Sequence, residues 1–235
     1  MVKIGVVGYS GRVNNIVIEE IEKNNQTSLS GIYVKSEKLN EAYKFPLYDN
    51  IKELAKISDA IIDFSNPKNT LNIAKQLVGS DIILVSGTTG FSVNEFEEFK
   101  SYSKYLTIIW SANMSIGINL LHRLLKLTSS RLGDEFDSAI IDIHHQHKKD
   151  SPSGTALSLA QTIIDNSQKN PQISSLRLGE ELGSHEVIFS GPDDSIILTH
   201  KTYSRKSYAK GAIAASLWGL DKEKGFYSML DVLDS

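Results

Sequence analysis

Residues 142–157, DIHHQHKKDSPSGTAL, concentrate the side chains in this sequence that are best suited to chemistry. Three histidines and two lysines precede a Ser-Gly-Thr turn. Imidazoles exchange protons near neutral pH, ammonium groups hold carboxylates, and the N–H groups at a helix start bind anions. We therefore expect proton transfer to a bound anion here.

Lys148 follows His144 by four residues and lies close in sequence to the turn at residues 153–155. An imidazole and an ammonium group together supply proton donors, as the reduction of a C=C or C=N bond by a nicotinamide hydride requires. The pattern favours such a reductase, although a surface loop with incidental histidines stays open as an alternative.

Two other kinds of site fit this stretch poorly. The spacing of His144, His145 and His147 suits a single metal ion badly, and the sequence lacks a helical His-Glu-x-x-His pattern, so no metal is predicted. No G-x-S-x-G turn appears, which disfavours a Ser-His-Asp hydrolase.

The chain begins with an apolar strand at residues 2–7, a glycine turn and a helical pattern. Such a turn lets main-chain amides approach a pyrophosphate. The glycines are Gly5, Gly8 and Gly11, so the strict G-x-G-x-x-G spacing is absent, and Asn14 stands where a glycine would be expected. A plain strand-to-helix turn is the alternative.

Further strands are predicted at residues 29–34, 59–64, 82–85 and 106–110. Three helices alternate with these strands. They are predicted at residues 67–77, from a capping box formed by Ser92 and Glu95, and at residues 117–132. This alternation predicts a doubly wound parallel sheet, with ligands beyond the carboxyl ends of its strands. The turns at 8–12, 64–67 and 87–89 meet at that edge, which strengthens the case for a dinucleotide site.

The end of the second strand bears on the choice of cofactor. An acid there usually holds the adenosine ribose, but Val34 occupies the position. Lys35 and Lys38 favour NADPH, whereas Glu37 leaves NADH open. It is an equal alternative that these lysines simply belong to a solvated loop and do not contact the cofactor.

In the second half of the chain, the sequence pattern predicts a strand at residues 136–143 and a helix from 153 to about 164. Two antiparallel strands are predicted at 185–190 and 195–203, joined by a turn at 191–194. An Ala- and Gly-rich helix at 208–215 is expected to pack closely, most simply on the first domain. We expect domains of residues 1–112 with 206–235, and of residues 113–205.

Composition limits the class of protein. The chain has 235 residues, 40% of them hydrophobic, which is enough for a core. Its 25 basic and 28 acidic residues argue against a nucleic-acid partner, and no apolar run suits a membrane span. It has no cysteine and no signal-peptide pattern, so we expect a cytoplasmic protein.

Taken together, the motifs resemble the 4-hydroxy-tetrahydrodipicolinate reductase (dihydrodipicolinate reductase) family over almost the whole chain. The matching segments are VGYSGR at 7–12, DFSNP at 63–67, GTTG at 87–90, SANMSIGIN at 111–119, HHQHKKDSPSGTA at 144–156, His200-Lys201 and Ser204-Arg205. The resemblance implies a two-domain α/β fold: a Rossmann-type parallel sheet plus a smaller α+β domain for substrate binding and tetramerisation.

The resemblance also implies roles for individual residues. His144 and Lys148 would be catalytic, the histidine as proton donor or acceptor and the lysine as donor. The substrate's carboxylates would be bound by His145, Ser153, Gly154 and Thr155. NADPH or NADH would contact Gly8, Tyr9, Ser10, Gly11, Arg12, Val13, Lys35, Gly87, Thr88, Thr89, Ser111, Ala112, Asn113 and Met114.

The implied reaction reduces a small dicarboxylate in lysine and diaminopimelate biosynthesis, in a homotetramer whose domains close about hinges near Asn113 and Arg205. Two departures concern the cofactor: Asn14 replaces the usual glycine, and Val34 replaces the acid often present. The chain is also shorter than many members after the second strand and around residues 171–183. A related oxidoreductase acting on another small acid, or a non-catalytic NAD(P)H-sensing module, remains as an alternative.

Overall fold

The structure is a computed structural model that describes residues 1–38 and 43–234. Its elements follow in chain order: β1 Val2–Val7, α1 Arg12–Lys23, β2 Thr27–Tyr33, β3 Leu47–Tyr48, α2 Ile51–Lys56, β4 Ala60–Asp63, α3 Pro67–Leu77, β5 Ile83–Ser86, α4 Val93–Ser101, β6 Thr107–Trp110, α5 Ile116–Ser129, β7 Asp137–His144, α6 Gly154–Ser167, β8 Gln172–Arg177, β9 Ser184–Ser190, β10 Ser195–Lys201, α7 Lys206–Trp218, β11 Gly225–Tyr227 and α8 Met229–Leu233. Contacts divide the chain into two compact units, Met1–Ile116 with Arg205–Ser235, and Gly117–Ser204. In the described residues no helix has the length and apolar character to cross a membrane.

The first unit is built on a seven-stranded sheet with the order β11-β6-β5-β4-β1-β2-β3. Each pairing between its described strands is parallel. From β1 the chain extends the sheet first through β2 and β3, and then on the other side through β4, β5 and β6. The predicted doubly wound sheet is confirmed, and its topological switch lies beside β1, where such folds bind ligands.

Helices cover both faces of this sheet. On one face α1 and α7 pack on the strands through residues such as Val17, Ile21 and Ala212. On the other, α2, α3 and α4 contribute Leu54, Ile73 and Phe99. Burial on both faces explains why the central strands are almost continuously apolar rather than alternating.

Two local features that the sequence predicted shape this unit. The capping box of Ser92 and Glu95 is present at the start of α4. The small residues of α7 allow close packing, because a Cβ at Gly211 would lie 1.7 Å from the carbonyl oxygen of Met114. The short elements β3, α2, β11 and α8 are not predicted by the sequence pattern.

The second unit contains a mixed sheet of order β10-β9-β7-β8. The predicted hairpin of β9 and β10 is confirmed by their antiparallel register, whereas β8, which pairs in parallel with β7, was not predicted. Helices α5 and α6 pack on one face through Leu121, Leu125, Leu159 and Ile163. This helix-covered face of the sheet is its inner face.

The inner face carries rows of residues that are paired across the strands. One row is apolar and consists of Ile173, Ile140, Val187 and Leu198. The next row is polar and consists of Ser175, Asp142, His185 and His200. Because inner and outer positions alternate along a strand, the polar row continues the buried side of the sheet. The candidate active site is built on it.

Candidate active site

The glycine turn of the first unit borders a cavity at the carboxyl end of β1. Gly8 follows β1 with a φ of 75°, a left-handed conformation that glycine adopts without steric cost. The cavity has a volume of about 710 Å³. Five of the residues predicted to contact the cofactor line this cavity: Gly8, Tyr9, Ser10, Gly11 and Lys35. Its size and glycine-rich wall fit a dinucleotide.

Asn14, which replaces the glycine expected at the end of the turn, is buried beside β1. Its Nδ2 donates a hydrogen bond of 2.7 Å to the carbonyl oxygen of Val7. Its Oδ1 is also buried, without a hydrogen-bond partner in the structure, and Asn14 belongs to the cavity lining. The side chain therefore braces the turn from beneath the cavity.

We expect Asn14→Ala to lower the free energy of unfolding by about 1–3 kcal/mol, because the carbonyl oxygen of Val7 loses a buried donor. Urea denaturation followed by circular dichroism measures this. Asn15→Ala, at the exposed neighbouring position of α1, is the control and should change stability little. Equal effects of both substitutions would contradict the bracing role.

The wall of the cavity next to the end of β2 is basic. Lys35 and Lys38 line the cavity there and Lys68 lines it from α3, with Glu37 as the one acid among its lining residues. Lys38 Nζ lies 5.3 Å from the centroid of the Tyr9 ring, which stacks on Tyr43 at 4.5 Å. A lysine-rich wall favours phosphate groups. Lys68 was missed in the sequence because it lies on α3, far along the chain from the glycine turn.

The remaining predicted cofactor residues have varied surroundings. Arg12 and Val13 form the first turn of α1 and are not among the residues that line the cavity. Gly87 directly follows β5 and packs against Phe64, which lines the cavity. A Cβ at Gly87 would lie 2.1 Å from the Phe64 ring, so this close approach requires glycine. Thr88 is buried and contacts Thr70 and Asp63, whereas Thr89 is exposed.

The segment after β6 is ordered by its own hydrogen bonds. The Ser111 hydroxyl donates to the carbonyl oxygen of Asn113, whose side-chain oxygen accepts from the Ser115 N–H. Ala112 is exposed, while the Met114 side chain lies in the core. A role in cofactor binding stays a prediction for this segment.

In the second unit, one buried carboxylate organises the histidine stretch. Asp142 is fully buried on β7. Its Oδ2 accepts from the Ser153 N–H at 3.0 Å and from both terminal guanidinium nitrogens of Arg177 at 3.3 Å, and its Oδ1 accepts from the Ser153 hydroxyl at 2.7 Å. Ser175 donates to Oδ2 at 3.2 Å. Asp142 thus links β7, β8 and the start of α6.

Two histidine rings complete this cluster. His144 Nδ1 lies 2.9 Å from Asp142 Oδ1, and His185 Nε2 lies 3.4 Å from the same oxygen. The contact between His144 Nδ1 and Asp142 does not have the geometry of a hydrogen bond, so the carboxylate acts on the ring chiefly through its charge. The two rings meet edge to face with centroids 5.2 Å apart.

Burial determines the charge states in the cluster. Burial lowers the pKa of His144 and outweighs the opposing effect of Asp142, while Lys148 and Arg177 lower it further. Burial also lowers the pKa of His185, to about 4. Burial alone would raise the pKa of Asp142, but hydrogen bonds from Ser153 and the charges of the two histidines bring it below its usual value. At pH 7 the cluster therefore holds one carboxylate and two neutral imidazoles.

Among the described residues, Asp142, His144 and His185 form a group whose ligand atoms lie within 4.8 Å of one another, near enough to hold a metal ion. The guanidinium of Arg177 already contacts the carboxylate. A divalent cation would be repelled by that charge and would compete with the N–H donors of Ser153 and Arg177. The arrangement fits a hydrogen-bonded cluster better than a metal site.

Lys148 lies beside an internal carboxylate. Its Nζ is 2.9 Å from Asp150 Oδ2. The hydrogen bond from Lys148 lowers the pKa of Asp150, and the main-chain N–H of Gly154 contributes to this lowering. The predicted proton donor and the predicted anion-binding helix end therefore act on one carboxylate.

The other predicted site residues of this stretch lie at the start of α6 and on the loop after β7. Ser153 is the N-cap of α6, and its hydroxyl accepts from the Ala156 N–H. Because both Ser153 protons go to Asp142, this side chain positions the helix and does not face a ligand. Gly154 is exposed and Thr155 is half-buried on the first turn. The rings of His145 and His147 lie 6.3 Å apart on the loop after β7.

Asp142, Arg177 and His185 had no predicted role. A signal for them exists in the two-residue period of the strands. Asp142 shares its side of β7 with Ile140, and His185 shares its side of β9 with Val187. A charged or titratable residue at an apolar strand position marks a buried polar site.

Known proteins resemble this chain along its whole length. The family model described as "Dihydrodipicolinate reductase, N-terminus" matches residues 2–114, and that described as "Dihydrodipicolinate reductase, C-terminus" matches residues 117–233. The 4-hydroxy-tetrahydrodipicolinate reductase of Rickettsia bellii is 36% identical over 98% of this chain and 94% of its own. That of Buchnera aphidicola subsp. Schizaphis graminum is 35% identical over 98% and 96%.

Solved structures share the fold. A dipicolinate-bound dihydrodipicolinate reductase from Paenisporosarcina sp. TG-14 superposes with a TM-score of 0.85 at 21% identity, covering 97% of each chain. A DAP dehydrogenase of C. glutamicum reaches a TM-score of 0.65 at 11% identity, covering 98% of this chain and 93% of its own. With both parts of the family matched in order and relatives more than 30% identical across the chain, the protein belongs to the dihydrodipicolinate reductase family.

Proposed function

We propose that the protein catalyses the NAD(P)H-dependent reduction of 4-hydroxy-tetrahydrodipicolinate, by way of dihydrodipicolinate, to tetrahydrodipicolinate. One water molecule is lost on forming dihydrodipicolinate. One hydride and one proton are then added to the ring. Family membership supports this reaction and its place in lysine and diaminopimelate biosynthesis. The cytoplasm, where NAD(P)H is regenerated, is its proposed location.

The observation that carries the proposal is the carboxylate beside Lys148. Asp150 is bound by the Lys148 ammonium and assisted by the first N–H of α6. These are the groups expected to bind a substrate carboxylate. We infer that a substrate carboxylate takes the place of Asp150, which leaves the ammonium next to the substrate ring. His145 and Thr155 are proposed to bind the second carboxylate.

The residues divide the remaining work between two domains. A cofactor domain, proposed to comprise residues 1–112 and 206–235, holds the cofactor through the glycine turn and the basic wall. Bound NAD(P)H supplies the hydride. In a substrate domain, proposed to comprise residues 113–205, Lys148 donates the proton. His144, which is neutral at pH 7, is proposed to assist this proton transfer.

The test is the loss of NADH or NADPH absorbance when the freshly made product of the preceding synthase is added. Titrating both cofactors gives the preference that Lys35, Lys38 and Lys68 are proposed to set in favour of NADPH. Cofactor binding without oxidation would indicate a sensing module and contradict the proposal. Oxidation only with other small acids would indicate a related oxidoreductase of the same fold.

We also propose that the protein assembles as a homotetramer through the outer face of the second sheet. Ile197 on β10 and Leu176 on β8 are 55% and 50% exposed there. Ile188 and Ile143 pair with them across the strands and are half-buried. An apolar sheet face of this kind is typical of subunit interfaces.

Ile197→Asp is therefore expected to convert the tetramer into smaller species, because a charge in an apolar interface is costly to bury. Size-exclusion chromatography with light scattering measures the mass. Val93→Asp, at an 80% exposed position of α4, serves as the control and should leave the mass unchanged. A monomeric wild-type protein, or a tetramer that tolerates Ile197→Asp, would contradict this interface.

A further inference from the structure

We infer that Asp142 is a positioning residue for this reaction, one that holds the ring of His144 in a single tautomer and at the same time fixes the start of α6. The inference rests on the proposed function for its link to turnover. Its structural part, the tautomer of His144, can be tested without any substrate.

The first step is the charge of the carboxylate. Asp142 is fully buried and accepts hydrogen bonds from Ser153, Ser175 and Arg177. Those contacts favour the ionised form, in agreement with its lowered pKa. An ionised carboxylate has no proton to donate and acts on its neighbours as an acceptor only.

The second step is the proton on the His144 ring. Nδ1 lies 2.9 Å from Asp142 Oδ1, and burial keeps the ring neutral at pH 7. At this distance a proton-free Nδ1, which carries partial negative charge, would be repelled by the carboxylate, whereas a protonated Nδ1 is attracted to it through charge, so the single ring proton is assigned to Nδ1. Nε2 then carries the lone pair and acts as an acceptor. The charged and titratable groups facing this ring are Asp142 on its own strand, Arg177 on β8, Lys148 on the following loop and the ring of His185 on β9.

The structure leaves space at Nε2 for a ligand or a side chain. A Cβ at Gly183 would lie 3.1 Å from Nε2, so the glycine leaves room at this atom. An accepting Nε2 can orient a donor such as an ammonium group, and it can donate a proton only after gaining one. The Asp142 contact therefore favours Lys148 over His144 as the resting proton donor.

The third step connects the same carboxylate to the anion site. Both protons of Ser153 are donated to Asp142, and the Ser153 hydroxyl oxygen caps α6 at Ala156. The position of the helix end at Gly154 and Thr155 thus depends on the atoms that hold His144. One buried carboxylate sets the geometry of the imidazole and of the carboxylate-binding turn together.

The experiment uses the full-length protein with ¹⁵N-labelled histidine. Long-range ¹H–¹⁵N spectra at pH 7.5, assigned with His144→Gln, report the tautomer of His144. We expect the Nδ1–H form in the wild type. A ring found as the Nε2–H tautomer, or protonated at this pH, would overturn the inference, and this measurement needs no variant at Asp142 and no turnover.

Asp142→Asn then tests the link to catalysis. Without the negative charge we expect a mixture of tautomers and a kcat lowered by about tenfold or more. The acidic limb of the kcat/KM profile should move to lower pH, because Asp142 raises the pKa of His144. Binding of dipicolinate, measured by calorimetry, should weaken as the start of α6 loosens, while NADPH binding should not change.

Asp137→Asn, the same change at an exposed position of β7, is the control and should leave all five readouts as in the wild type. A lower kcat without any change in tautomer or pH profile would make Asp142 merely structural and overturn the inference. A wild type that binds dipicolinate in the Nδ1–H form but oxidises no NAD(P)H would refute the proposed function alone.

Discussion

Lys148→Ala is expected to lower kcat by about 100- to 10,000-fold, the range typical of losing a general acid. The ammonium group contacts the Asp150 carboxylate, whose place a substrate carboxylate is proposed to take, and the neighbouring imidazole of His144 is neutral at pH 7 and cannot supply the missing proton. His144→Ala should lower kcat within the same range. Initial rates of NADPH oxidation at saturating substrate give kcat directly.

The chain provides a matched control next to the target. Lys149 has the same side chain and is exposed, with no role assigned in the site. Lys149→Ala should therefore keep kcat within about twofold of the wild type. Near-normal turnover in both Lys148→Ala and His144→Ala would refute the assignment of these two residues.

A double substitution separates the two functions of Lys148. In Lys148→Ala the Asp150 carboxylate loses its partner and repels the substrate's carboxylates, so KM should rise as well. Adding Asp150→Ala removes this repulsion. We expect KM to recover in the double variant while kcat stays low, since the proton donor is still absent. Recovery of kcat would show that Lys148 acts only by neutralising Asp150.

The first unit was predictable because its signals are local. Strand runs such as residues 2–7, the glycine turn and the Ser92 capping box are each encoded within a few neighbouring residues. A parallel sheet buried on both faces also requires continuous apolar strands, which are easily recognised in sequence. The long histidine motif identified the family for the same reason, since its residues are contiguous.

The unpredicted elements depend on partners far away in the chain. The strand β8 reads Gln-Ile-Ser-Ser-Leu-Arg, an alternating pattern with little apolar content, and it is a strand because it pairs with β7. Likewise β11 is three residues long and forms the edge of the first sheet beside β6. Short edge strands have weak intrinsic preference, so tertiary pairing decides them.

The candidate site shows the same limit. Asp142, Arg177 and His185 meet because β7 is aligned with β8 on one side and β9 on the other. No spacing in the sequence encodes that register, although the two-residue period on β7 places Asp142 on the buried side with Ile140. The contiguous motif gave the residues that are proposed to face the substrate, and the sheet register gives the buried residues packed behind them.

A buried neutral histidine should also make the fold sensitive to acid. His185 is 3% exposed, and burial, with the charge of His144, lowers its pKa from 6.5 to about 4. The unfolded chain takes up a proton on His185 below pH 6.5, whereas the folded protein does so only near pH 4. The unfolded state therefore binds more protons within this window, and stability falls as the pH drops from 6.5 towards 4. The loss approaches about 3 kcal/mol for His185 alone.

His185→Gln removes this titration and keeps a side chain that can donate to Asp142. The free energy of unfolding, from urea denaturation at pH 7, 6, 5 and 4.5, should fall less steeply with acid in His185→Gln than in the wild type. His147→Gln, at an exposed position of the loop after β7, should follow the wild-type slope. Identical slopes in all three proteins would mean that His185 is not held neutral in the fold. A shallower slope in His185→Gln alone would locate the acid sensitivity at the buried ring of His185 in the Asp142 cluster.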